Sequence, residues 1–263
     1  MTAAWCKWVS FAYPVFSLTF ALQVFDINSR AILRTLDAHK QPVHLTTFSH
    51  LAPTQVLSCS DDTTVKLWDI PSQTAISTFT DHTDYVRCGQ VSTSNPHIVL
   101  TGSYDATVRL FDSRTGRCEM TLREPGAAGG AVKTPVEQVL MFPSGTVAIS
   151  SAGPILRAWD VVAGGRCVRA LSNHQKTITA LAFNGSANRL LTGSLDHMVK
   201  VYDISTYQVV HTMRYPAPIL CLAISVRIWV VTFYQYLTSE TARRNTFSRR
   251  DGGRHPLNSK TTV

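Results

Sequence analysis

The chain has 263 residues, 44% of them apolar, and a formal charge of +8, enough for one large or two small domains with a packed core. The charge does not mark the whole body as nucleic-acid binding. Residues 226–263 hold seven Lys/Arg against Glu240 and Asp251, which leaves only +3 for the rest of the chain.

In chain order, the first feature is the apolar run Trp5–Phe25, with one lysine and no acid. It imitates a signal peptide or membrane span. Pro14 interrupts it, however, and its end runs into the partial motif Ala21–Ile27, "ALQVFDI". Residues 1–22 are therefore read as an atypical apolar N-terminal segment, with a true signal or span as the alternative.

A repeat follows. "TTVKLWDI" (Thr63–Ile70) has counterparts in "ATVRLFDS" (Ala106–Ser113), "ILRAWDVV" (Ile155–Val162) and "HMVKVYDI" (His197–Ile204). The aspartates after the aromatics are Asp26, Asp69, Asp112, Asp160 and Asp203, spaced by 43, 43, 48 and 43 residues. A period near ~40–45 residues with four short strands per unit is the signature of a propeller blade. One full cycle predicts strands at Ala75–Phe79, Val86–Val91, His97–Gly102 and Thr107–Asp112, rich in β-branched and apolar residues and split by turn clusters.

Inside the period a polar set recurs: His39, Ser58, Asp62 and Trp68; His82, Thr101, Asp105 and Phe111; His174, Thr192, Asp196 and Tyr202. Ser, His and Asp together invite a hydrolase reading. Catalysis needs one such set in one cleft, and here it stands three times at equivalent places. The sets are therefore read as structural tetrads, in which imidazole bridges a turn carboxylate and a strand hydroxyl, and the Trp68 indole donates as well. No catalytic, cofactor or metal residue is assigned. The cysteines (Cys6, Cys59, Cys88, Cys118, Cys167, Cys221) form no C-x-x-C pair and no close ligand set, as expected of reduced core thiols in an intracellular protein.

These endings, turns and upstream histidines resemble the WD-repeat (WD40) family over about Phe25–Ser225. Three stretches, Asp81–Gly116, Val136–Leu181 and Gly193–His211, are similar in more detail to a nucleolar subfamily. The middle one is the most telling, because it lacks the His and has Gly153 where the turn Asp should be. The resemblance implies an all-β fold: a partial WD40 β-propeller of about four to five four-stranded antiparallel blades over 23–225, its ring not closed. It implies a non-catalytic scaffold subunit of early small-ribosomal-subunit assembly, supporting pre-rRNA processing toward 18S rRNA and ribosomal DNA transcription in the nucleus and nucleolus. Its partners would be other protein subunits of the pre-ribosomal assembly, with an indirect or weak pre-rRNA contact, no small-molecule substrate, no cofactor and no membrane.

A family member should carry about seven blades and a helical C-terminal domain, and here the pattern stops after Ser225. Residues 226–263 are read as a basic, largely disordered tail in which Ile228–Leu237 adds at most a strand. Val226-Arg227 can be encoded by a splice-donor-like GTAAGA, and Val15–Gln23 by an acceptor-like pyrimidine run, so both ends are expected to be intron-derived. In blades, residues beside the turn aspartates and after the His loops rim one face, which makes Asp61, Tyr85, Arg87, Tyr104 and Leu195 candidate partner contacts. "EPGAAGGAVKTP" (Glu124–Pro135) lacks the G-K-[ST] of a phosphate loop and reads as an inter-blade linker. A competing class is a substrate receptor of a cullin-type ubiquitin ligase, since "FDSR" (Phe111–Arg114) resembles the W-D-x-R of such receptors.

Overall fold

The computed structural model describes residues 15–18, 20–25, 32–37, 39–123, 134–224, 228–233 and 246–250. Residues 1–14, Asp26, most of the Glu124–Pro135 linker and most of 226–263 lie outside the described residues.

Every element described is a β-strand, and every pairing is antiparallel. The first sheet has three strands: β1 (Val15–Leu18), β2 (Ala21–Phe25) and β3 (Ile32–Asp37). Four four-stranded sheets follow. The second holds β4 (Val43–Phe48), β5 (Gln55–Ser60), β6 (Val65–Asp69) and β7 (Thr74–Phe79). The third holds β8 (Val86–Val91), β9 (Ile98–Ser103), β10 (Thr107–Asp112) and β11 (Arg117–Arg123). The fourth holds β12 (Val136–Met141), β13 (Val147–Ala152), β14 (Ile155–Asp160) and β15 (Arg166–Leu171). The fifth holds β16 (Ile178–Phe183), β17 (Arg189–Ser194), β18 (Met198–Asp203) and β19 (Val209–Arg214). The sixth has three strands: β20 (Ile219–Ile224), β21 (Ile228–Phe233) and β22 (Thr246–Arg250). The all-β, blade-like expectation holds, and the predicted strands agree with β7–β10 to within one residue. The first four sheets form one compact unit, residues 1–173, and the last two form another, residues 174–263.

Burial explains the composition. The second strands of the complete sheets, β5, β9, β13 and β17, are buried at almost every position, so each reads as two or three apolar residues followed by small ones rather than as an alternating pattern. The last strands, such as β11, alternate, because only one of their faces is covered. Sheets join through shared cores. Leu57, Val65 and Phe79 of the second sheet pack with Val86, Val99 and Phe111 of the third. The Phe79 and Phe111 rings stack at 4.6 Å between centroids, an arrangement that contributes ~0.5–1.5 kcal/mol beyond area burial. Val108 and Leu122 of the third sheet pack with Val136, Met141 and Trp159 of the fourth. In the second unit, Leu191 and Val201 pack with Ile219 and Leu222.

Close approach of neighbouring sheets depends on the missing side chain at two equivalent glycines. A Cβ on Gly102 would stand 2.6 Å from both Cys88 Sγ and Val136 Cγ1, and one on Gly193 would stand 2.6 Å from Ile219 Cγ2. Gly102→Ala is therefore expected to lower stability by ~1–3 kcal/mol through overpacking, read as a fall in the urea midpoint with an unchanged slope. An unshifted midpoint would mean that the third and fourth sheets are not in this contact.

Candidate functional site

Each regular sheet places one aspartate at the centre of a polar cluster. The turn between its second and third strands has three residues, Asp61-Asp62-Thr63, Tyr104-Asp105-Ala106 and Leu195-Asp196-His197. The last residue of each has positive φ, +67° at Thr63, +65° at Ala106 and +68° at His197. This is the three-residue hairpin pattern in which the final position is left-handed. One carboxylate oxygen closes the turn: Asp62 Oδ1 accepts from Thr64 N at 3.0 Å, Asp105 Oδ1 from Thr107 N at 2.8 Å, and Asp196 Oδ1 from Met198 N at 2.9 Å. The other oxygen reaches the loop before the sheet. Asp105 Oδ2 lies 2.8 Å from His82 Nδ1 and accepts from Thr83 N at 3.3 Å. Asp196 Oδ2 lies 2.8 Å from His174 Nδ1, and Asp62 Oδ2 lies 3.0 Å from His39 Nδ1.

The far ring nitrogen meets the strand hydroxyl. His39 Nε2 is 2.7 Å from Ser58 Oγ, His82 Nε2 is 2.8 Å from Thr101 Oγ1, and His174 Nε2 is 2.7 Å from Thr192 Oγ1. The carboxylate only accepts, so a neutral ring donates from Nδ1 and receives the hydroxyl proton at Nε2. The structure thus brings His, Asp and hydroxyl together in all three sets. The fourth member differs. Trp68 Nε1 donates to Ser58 Oγ at 2.9 Å. Phe111 has nothing to donate, and the Tyr202 hydroxyl is buried outside hydrogen-bond geometry, its phenol pushed up to about 12 by burial. The hydroxyl follows the aromatic. Serine stands with tryptophan in the second and fourth sheets, and threonine, which adds a methyl group, stands with Phe111 and Tyr202.

The fourth sheet corrects one sequence reading. Trp159 Nε1 donates to Ser150 Oγ at 2.8 Å. Gly153, however, does not replace the turn aspartate. Ala152 pairs with Ile155 across a two-residue turn, one residue shorter than the others. With no carboxylate to place, a glycine at φ +54° followed by proline suffices.

The pKa shifts follow the geometry. Burial opposes ionisation of Asp105, but the bonds from His82 and Thr107 outweigh it and hold the carboxyl below the ordinary range. Asp62 and Asp196 are lowered in the same way. His39 and His174 are lowered because burial outweighs their aspartates. Cys59 and Cys88 are buried thiols that burial raises and so keeps inert.

A second cluster lies at the same end of the first unit, built on bulges. The first strand of each of the last five sheets carries one extra residue near its start: His44, Arg87, Glu137, Thr179 and Leu220. A bulge re-aims its side chain. His44 Nε2 donates to Asp61 Oδ2 at 2.6 Å, and Arg87 Nη1 donates to His44 Nδ1 at 3.3 Å. Arg87 Nε stands 3.4 Å from Asp61 Oδ1. The guanidinium lies 4.9 Å from the Tyr104 ring centroid and 6.0 Å from that of Tyr85. Tyr104 Oη donates to Glu137 at 3.2 Å. Of the five candidate contacts, Asp61, Tyr85, Arg87 and Tyr104 meet here; Leu195 holds the equivalent turn position in the second unit. Sequence reasoning missed His44 and Glu137. A signal existed for the first, since His44 and Arg87 each follow a loop histidine by five residues.

Comparison with known proteins agrees with this architecture. The family model for the WD domain, G-beta repeat, matches residues 30–69, 73–112 and 165–203. The chain carries WD40 repeats. The stretch without the loop histidine and turn aspartate falls between the second and third matches. The chain is 43% identical over 208 residues to "U3 small nucleolar RNA-associated protein 15" of Schizosaccharomyces pombe, covering 79% of this chain and 40% of the relative. It is 45% identical over 205 residues to the Gallus gallus homolog, covering 78% and 38%. It is 48% identical over 91 residues to the Homo sapiens homolog, covering 35% and 18%. The chain thus spans at most about two fifths of the length of these relatives. Among the described residues, no group of three or more His, Cys, Asp or Glu is placed to hold a metal ion.

Two outcomes follow. His82→Leu strands the buried Asp105 carboxylate and is expected to cost ~2–4 kcal/mol in denaturant unfolding, whereas an exposed change such as Gln73→Ala should leave the midpoint in place. Stability should also fall with acid in two stages. His39 and His174 bind protons less readily in the native state than their ordinary value near 6.5, so the first loss comes as pH drops from 7 through their native values. The aspartates contribute fully above ~4 and lose that contribution as pH falls toward their lower native values. Thermal melts at pH 7, 5 and 3 read both stages, and a flat profile would contradict the tetrad electrostatics.

Proposed function

We propose that the chain is a non-catalytic WD-repeat scaffold subunit of the small-subunit processome, acting in early small-ribosomal-subunit assembly in the nucleolus. It supports pre-rRNA processing toward 18S rRNA and ribosomal DNA transcription. The observation that carries this reading is the likeness over about four fifths of the chain to proteins named for their association with U3 small nucleolar RNA. The threefold repetition of the polar sets supports a role without chemistry, because each set is consumed in holding its own sheet.

The contact surface of the first unit is the bulge cluster. Arg87 lies over the Tyr104 ring and is paired to Asp61, and Tyr85 is 42% exposed beside it. Tyr and Arg fixed in place lose little freedom on docking and suit the anchor of a protein interface. Leu195 would serve the same purpose on the second unit. The ubiquitin-ligase alternative rests on Arg114, and that guanidinium is spent on Asp112, with Nη2 at 2.6 Å from the carboxylate, which is drawn down to about 2.

Affinity capture of the tagged chain from cells, with sequencing of bound RNA and identification of bound proteins, tests the reading. Nucleolar assembly subunits together with U3 and pre-ribosomal RNA are expected, and recovery of a cullin adaptor in their place would overturn it. Arg87→Ala should weaken capture by roughly tenfold, the size of a modest hot spot, in a chain that still melts cooperatively.

A further inference from the structure

The near-neutral body hides a division of charge within the third and fourth sheets. Residues 81–106, which supply β8 and β9, carry Arg87 against Asp81, Asp84 and Asp105, and residues 134–152, which supply β12 and β13, carry Glu137 alone. The last two strands are the reverse. Residues 107–123 hold Arg109, Arg114, Arg117 and Arg123 against Asp112 and Glu119, and residues 155–171 hold Arg157, Arg166 and Arg169 against Asp160.

Strands β11 and β15 end the hydrogen-bond order of their sheets. Their arginines Arg117, Arg123, Arg166 and Arg169 are exposed. Asp112 and Asp160 stand opposite Arg117 and Arg166 in the pairing register, but Asp112 holds Arg114, and Asp160 Oδ1 accepts from Ala163 N at 2.9 Å. The two edges are neighbours. A Cβ on Gly165, just before β15, would stand 2.3 Å from Leu122 Cδ2 of β11. Arg123 and Arg166 are the next residues along these two edges, on the faces turned away from this contact.

Edge protection does not require these charges. Strands β7, β11 and β15 all carry a bulge at the same register, at Ile76, Glu119 and Val168, and a bulge alone discourages strand addition. Strand β7 keeps its edge with no charged residue at all. The four arginines of β11 and β15 are an addition to the fold. Neither strand has an aromatic residue that could anchor a protein interface or stack a base. What remains is four exposed guanidiniums spread along two neighbouring edges, planar bidentate forks suited to phosphate oxygens.

We propose that the outer edges of the third and fourth sheets, through Arg117, Arg123, Arg166 and Arg169, form a sequence-independent contact for the phosphate backbone of RNA. The surface lies on different strands from the bulge cluster, so the two can be occupied and disabled separately.

The test is the salt dependence of binding between the purified full chain and a fluorescein-labelled RNA hairpin. A variant carrying Arg117→Gln, Arg123→Gln, Arg166→Gln and Arg169→Gln should reduce the slope of log affinity against log salt by roughly 0.7–0.9 for each phosphate contact removed, with an unchanged melting midpoint. Arg243→Gln, Arg244→Gln, Arg249→Gln and Arg250→Gln together should leave the slope intact. The proposal fails if the wild-type chain does not bind the hairpin, if the edge variant keeps the slope while the second variant loses it, or if polyglutamate displaces the RNA as well as unlabelled hairpin does.

Discussion

The fold turns on how one aspartate divides its two oxygens. Oδ1 closes the turn in which the residue itself sits, and Oδ2 takes the imidazole and a loop amide more than twenty residues earlier. A carboxylate has lone pairs enough for all of these and no proton to give, so no neutral side chain of the same size could fill the place. The arrangement also settles the histidine's tautomer, and through it the direction of the Ser or Thr hydroxyl. Ser60, Ser103 and Ser194 extend it, each bonding the amide two residues on and a carbonyl of the loop before the sheet. In each regular sheet the first, second and third strands are thereby locked at one end by a carboxylate, an imidazole and two hydroxyls, each buried or half-buried and each hydrogen-bonded.

That lock is what gives the exposed cluster its geometry. The residue just before the aspartate (Asp61, Tyr104 or Leu195) is delivered by a turn with no freedom left. The bulged residue (His44, Arg87 or Thr179) is delivered by a strand whose start is tied to the same turn. In the first unit the two series alternate along one chain of contacts, His44, Asp61, Arg87, Tyr104 and Glu137. The chain of contacts stops at the fourth sheet, where the shortened Gly153-Pro154 turn offers no polar side chain to continue it. A degenerate sheet thus retains the buried Trp159–Ser150 bond, which packing needs, and gives up the turn aspartate and its partners.

Much of this was legible in the sequence because it repeats. The polar sets could be placed in register from spacing alone, and strand limits followed from β-branched runs between turn residues. What was not legible depended on one-residue irregularities. A bulge leaves no mark in the composition, so Glu137 looked like any strand acid, and His44 looked like a second histidine near a first. The turn around Gly153 was aligned by analogy and came out one residue too long, because the sequence does not state how many residues a hairpin uses until the pairing of Ala152 with Ile155 is seen. The division of charge was hidden for a related reason: a net value averages over strands that face in different directions.

The same backbone positions carry opposite chemistry in the two units. In the first, the bulge and turn positions hold His44, Asp61, Arg87, Tyr104 and Glu137. In the second they hold Thr179, Leu195 and Leu220, and Thr179 turns its hydroxyl to the carbonyl of Ile219 at 2.5 Å rather than outward. Nothing in the lock distinguishes them, for His82 with Asp105 and His174 with Asp196 share the same 2.8 Å geometry. The polar sets therefore set where side chains emerge without deciding what they recognise. That separation is what allows a repeated structural unit to differ in its contacts from sheet to sheet, and it locates function in the positions that the repeat leaves free to vary.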